Sequence, residues 1–237
     1  MRGFADAFLS ITGLIYVMLM TNFMIALTCL PVWVLAVLVD IRVSWLWLAI
    51  TSILAAPALA GAYAVFKEHS LNRGTAAIRT FFRAWWSSWR RIGPVGLAFQ
   101  GYFLVVGLDY YAMRLWGYDR YVLPLAVVLV ALGTVTAMVA WVGLADRPDL
   151  TRRNVLKISL YLAVRKGGWS ILTVVVLVVI AMVVWVQLAI GLGVVMAPGL
   201  YVVWGNSRRT LLTILPPDER IPDENSPVLR PRKKTRP

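Results

Sequence analysis

Six apolar stretches, parted by short polar segments, make up most of this chain: about 9–39, 44–66, 93–113, 121–144, 168–188 and 192–204. A helix of about 20 apolar residues crosses the hydrocarbon core of a bilayer. In lipid every backbone N–H and C=O must find its partner within the protein, so such runs fold as helices. The expected class is all-α, a polytopic transmembrane helical bundle of about six spans.

The basic residues orient it. If the N-terminus is cytoplasmic, only Arg42, Arg114 and Arg120 of the 24 Lys and Arg residues fall on the outer side. The rest lie at Arg2, in 67–92, in 146–167 and from 205 onward. Positive charge resists translocation, so both termini are expected on the cytoplasmic side.

Composition excludes a soluble globule. The 237 residues are 60% apolar and only 15% charged, where a soluble domain carries about a quarter charged residues. Residues 1–215 are expected to form one membrane domain and 216–237 a disordered, basic cytoplasmic tail. The net charge of +13 follows from topology. Basic inner loops face an anionic leaflet, and no nucleic-acid motif accompanies the charge, so no nucleic-acid partner is expected. Cys29 is the single cysteine, which excludes a disulfide framework and a Cys-based metal cluster. The first apolar run is longer than a signal h-region and is expected to stay as an anchor, kinked at Pro31.

The segment 75–91, TAAIRTFFRAWWSSWRR, is the strongest local signal after the spans. At 100° per residue, Ile78, Phe81, Phe82, Trp85, Trp86 and Trp89 share one arc, opposite Arg79, Arg83, Ser87, Arg90 and Arg91. Such a basic amphipathic helix lies in the interface plane, its indoles at headgroup depth. The plainer alternative is a cytoplasmic helix packed on the bundle. A second inner helix is expected over 151–166. The stretch 169–204 is read as two spans, because one span would put Arg208 and Arg209 outside; a long kinked helix is the alternative.

Few residues offer chemistry. Asp109 is the only acid inside a span as drawn, and intramembrane ionisable groups are often functional. It can equally reach the interface or pair with Arg114. Asn22, Gln100 and Gln187 could contact a solute or make interhelical hydrogen bonds. Ala56, Ala60 and Ala64, with Pro57 and Gly61 among them, form a small-residue ladder. It suits close packing within the chain or a docking face for another membrane subunit. His69 reads as a solvated loop residue. Gly93, Gly96 and Gly101 do not match a dinucleotide motif, and no P-loop or nucleophile elbow appears. No catalytic residue, cofactor or metal is expected.

The run Ala55-Ala-Pro-Ala-Leu-Ala-Gly-Ala-Tyr-Ala-Val-Phe66 resembles a stretch typical of the YesL-like membrane proteins. Phe81-Phe-Arg-Ala-Trp-Trp-Ser-Ser-Trp-Arg-Arg91 is similar to the aromatic-basic segment that follows it there. Leu108-Asp109-Tyr110 and 156–166 also fit their places, and the likeness covers most of 1–212. Leu59, Gly61 and Ala62 depart from the family, which often has Thr, Ala and Leu. The resemblance implies a bacterial inner-membrane protein often encoded beside carbohydrate uptake systems, with no established catalytic residue. The expected function is a non-catalytic accessory component, with anionic lipids and ABC-type sugar transporter subunits as partners. The alternative is a solute-binding transport subunit or small carrier, built around Asp109, Asn22 and Gln187. An integral-membrane enzyme would need converging ionisable residues, and the sequence presents no such group.

Overall fold

The computed structural model describes residues 2–39, 47–48, 50–72, 76–146 and 150–214. The expected outer turn at 40–44, the turn residues 147–149 and the tail over 216–237 lie outside the described residues. What is described is 94% helical and contains no strand.

The first apolar stretch forms two helices, α1 (Arg2–Thr28) and α2 (Leu30–Leu38). The break falls at Cys29, just ahead of Pro31, which sits in the first turn of α2. Proline is tolerated there because the N–H it lacks would have no partner in the helix.

A short 3-10 turn, Ser52–Leu54, leads into α3 (Ala55–Asn72). Next come α4 (Ala77–Leu115), α5 (Asp119–Asp146), the short α6 (Arg152–Arg165) and α7 (Gly167–Val186). A single turn, Leu188–Ile190, and a π-helical turn, Gly191–Val195, precede α8 (Met196–Leu212).

Among the described residues, five helical segments are long and apolar enough to cross a membrane: Ile11–Thr28, Ala77–Leu115, Arg120–Asp146, Gly167–Val186 and Leu188–Leu212. This is a multi-pass membrane protein. The second expected span is not among the five. Its helix, α3, is rich in Ala, with Pro57 and Gly61 among them, and carries Lys67, Glu68 and His69 near its end. α3 has a polar end at 67–72, and residues 44–46 and 49 ahead of it lie outside the described residues, so the described part of that span is short. The helix sits at the centre of the bundle, against α1, α4, α5 and α8, where it meets protein rather than lipid.

Close approach explains that composition. In lipid no hydrophobic force draws helices together, so association rests on packing. A Cβ added at Gly96 of α4 would come within 2.8 Å of the Ala56 Cβ, and one at Gly61 within 3.0 Å of the Phe81 ring. Tyr63 and Phe66 fill the middle and are fully buried. Phe66 meets the Tyr201 ring edge-on at 5.3 Å.

The 169–204 stretch is an antiparallel hairpin. Gln187 leaves helical geometry (φ −142, ψ 85) and ends α7. Added Cβ atoms at Gly191 and Gly199 would lie 2.6 Å from Val184 Cα and 2.5 Å from Ile180 Cδ1. Gly191 therefore lets the turn before α8 lie against the α7 backbone, and Gly199 makes room on α8 for the Ile180 side chain.

One expectation is corrected. The basic aromatic segment is not a separate helix. It is the first part of α4, which runs unbroken for 39 residues through Pro94. Gly93-Pro94 reads as a boundary, yet proline is tolerated inside membrane helices when neighbours hold the freed groups. Here Gly93 and Gly96 are buried on either side of it. His69 is likewise on the last turn of α3 rather than in a loop, and it is half-buried.

Candidate functional site

The C-terminal ends of α3, α5 and α8 converge at one end of the bundle. Lys67 Nζ lies 3.1 Å from Asp146 Oδ1, and Arg208 Nε lies 3.3 Å from Asp146 Oδ2. The Asp146 side chain is 13% exposed, so one carboxylate ties three helices with little water around it. Cations suit the negative end of a helix dipole. Lys67 Nζ also donates to the Asp146 carbonyl at 3.5 Å, and together Lys67 and Arg208 hold the Asp146 carboxylate where its own helix would repel it. Arg208 also lies over the Trp204 ring, 5.1 Å from its centroid.

The start of α4 and α6 join this basic end. The Arg91 guanidinium donates to Leu150 O at 2.9 Å, and Arg152 donates back to Arg90 O at 2.5 Å. Thr80 Oγ1 donates to Glu68 on α3. Thr151 caps α6, its side chain accepting from Asn154 N at 3.4 Å. Leu160, Tyr161 and Val164 of α6 remain exposed beside Arg153, Lys157 and Arg165.

The arc of α4 divides in two. Phe81 is fully buried, Trp85 and Trp89 are half-buried, and their rings meet at 5.9 Å. Ile78, Phe82 and Trp86 face outward, Trp86 being 75% exposed. Arg79, Arg83 and Arg90 are exposed beside them. At 1.5 Å per residue α4 is about 58 Å long, against a hydrocarbon core of about 30 Å. The surplus is this Arg- and Trp-bearing end.

The other expected site residues do not meet. Asn22 is buried on α1, and both halves of its amide bind the backbone near α8. Nδ2 donates to Gly193 O at 2.9 Å, and Oδ1 accepts from Ala197 N at 2.6 Å. In an unbroken α-helix those two backbone groups would pair with each other. The Asn22 amide is thus inserted into a rung of the last helix, at its π-helical turn, which is a recognised cause of helix irregularity. Asp109 is exposed on α4, and among the described residues no ion pair joins it to Arg114. Gln187 is exposed at the hairpin break, where its carbonyl accepts from Gly191 N at 2.8 Å. Ala56, Pro57, Ala60 and Gly61 are buried and Ala64 is half-buried, all against this chain's own helices. The ladder is occupied from within.

A second buried amide escapes the sequence reading. Asn206 of α8 donates to Trp169 O at 2.8 Å and to Thr173 Oγ1 at 2.7 Å, pinning α7. Its polarity is visible in the sequence, but its position among the charges of 205–209 disguises its burial. Among the described residues no group of His, Cys, Asp or Glu could hold a metal ion.

Comparison with known proteins returns nothing similar: no family model matches the chain, and neither does any curated protein or solved structure.

Proposed function

We propose that this protein is a non-catalytic accessory component of a bacterial plasma membrane that associates with an ABC-type carbohydrate uptake system. In this reading the basic end faces the cytoplasm and the chain crosses six times, α3 being the sixth crossing. The orientation is supported by the charge asymmetry, and the partner class by the resemblance to YesL-like proteins.

The observation that carries the reading is the projecting start of α4. Ile78, Phe82 and Trp86 stand exposed among Arg79, Arg83 and Arg90, beyond the length that a span needs. Aromatic residues and Arg are the types enriched at protein interfaces. The solute-binding alternative draws less support, because the amide of Asn22 is taken up by backbone.

The test is affinity purification of the tagged full-length protein from native membranes at natural abundance. Permease subunits of a sugar transporter should be recovered with it, and Trp86→Ala combined with Phe82→Ala should reduce that recovery. Recovery of the protein without transporter subunits would overturn the proposal.

A further inference from the structure

A groove of about 530 Å3 runs along α8, between the last turns of α3 and the start of α7. Tyr201, Gly205 and Arg209 follow one another every four residues and share a face of α8. About 12 Å of helix rise separates Tyr201 from Arg209. The groove is apolar towards the bundle middle, where Leu172, Tyr201 and Val202 line it, and cationic at the basic end, where Arg208 and Arg209 do. Between them its floor is open: a Cβ added at Gly205 would meet no atom of the protein within 4 Å.

The charges around it are not balanced. Asp146 is shared by Lys67 and Arg208, and Glu68 accepts from Thr80. Among the described residues Arg209 is exposed and has no carboxylate partner. Trp169 stands at the same level, held by the Asn206 bond to its carbonyl, and is 45% exposed. Indoles favour headgroup depth, and basic pockets between membrane helices bind anionic headgroups.

We propose that this groove seats one anionic phospholipid, its phosphate at Arg209 and an acyl chain along Leu172 and Tyr201. Charge complementarity selects the anionic class, and the apolar length below Arg209 selects a lipid over a free anion. The proposal rests on the membrane placement alone and does not depend on any protein partner.

Native mass spectrometry of the purified full-length protein, incubated with phosphatidylglycerol or phosphatidylcholine in detergent, tests it. The wild type should retain phosphatidylglycerol preferentially. Arg209→Gln should cut that preference roughly fivefold, the effect of one cation at an anionic surface. Gly205→Leu starts from a Cβ position with no neighbour within 4 Å, puts apolar bulk into the groove and should lower retention of both lipids. Arg153→Gln, an exposed cation on α6 outside the groove, should change neither. Equal retention of the two lipids by the wild type, no effect of either groove variant, or an equal effect of Arg153→Gln would overturn the proposal. Displacement of the lipid by millimolar inorganic phosphate would overturn it as well, showing a site for the free anion instead.

Discussion

Asn22 and Gly193 lie 171 positions apart and share a hydrogen bond of 2.9 Å. The same amide accepts from Ala197 N, so α1 is fastened to the π-helical turn by one side chain. Replacing it by Leu would leave a backbone donor and acceptor facing an apolar group. An unsatisfied buried polar group costs about 1–3 kcal/mol, though interhelical bonds in membranes average nearer 0.6 kcal/mol. We expect Asn22→Leu to lower stability by about 1–2 kcal/mol, read from unfolding in mixed micelles. An unchanged unfolding curve would mean that the rung closes on itself when the amide is gone.

The hairpin glycines should not respond alike to alanine. At Gly191 the new methyl meets Val184 backbone, which can move only if the helices part. At Gly199 it meets the end of the Ile180 side chain, which can change rotamer. Overpacking costs about 1–3 kcal/mol, and Gly191→Ala should fall at the upper end with Gly199→Ala at the lower. Ile180→Val should offset Gly199→Ala in a double-mutant cycle, with no such coupling to Gly191→Ala. Thermal unfolding of the three single and two double variants in detergent checks this order.

Removing the shared carboxylate should destabilise the basic end. Asp146→Asn leaves Lys67 and Arg208 near each other with no counter-charge between them. Breaking a fully buried pair costs about 3–5 kcal/mol and an exposed one about 0–1. With Asp146 mostly buried and Lys67 35% exposed, we expect about 2 kcal/mol. Added salt should narrow the gap to wild type, because screening relieves the repulsion. A gap that is independent of ionic strength would assign the loss to hydrogen bonding instead.

Labelling of single cysteines checks the orientation. Cys29 is 4% exposed, so the natural thiol should stay silent towards membrane-impermeant maleimides in intact cells. Tyr118→Cys, in the exposed turn between α4 and α5, should react from outside. Arg153→Cys on α6 should react only after the cells are opened. The reverse pattern would turn the molecule over.

Helix positions were legible because apolar runs and breakers are local. The hairpin between α7 and α8, and the start of α6 behind Thr151, follow from residues within a few turns of one another. Three things were not local. The depth of α3 depends on which helices surround it, and its small residues do not say which. The continuity of α4 across Pro94 depends on Gly96 meeting Ala56 from another helix. The ties of Asp146 and Asn22 join residues from distant parts of the chain, and no periodicity brings such pairs together. Of the three candidate solute contacts, Asn22 stands out in the sequence by its polarity, and its geometry assigns it to backbone.

The Asn22 clamp also bears on how the molecule is made. The carbonyl that its amide requires is 171 residues downstream. At about 5–20 residues per second the ribosome needs on the order of ten to thirty seconds to deliver it. Until then the Asn22 amide cannot make the bonds that it makes in the folded molecule. A nascent chain released before Ala197 emerges would lack the clamp between α1 and the start of α8.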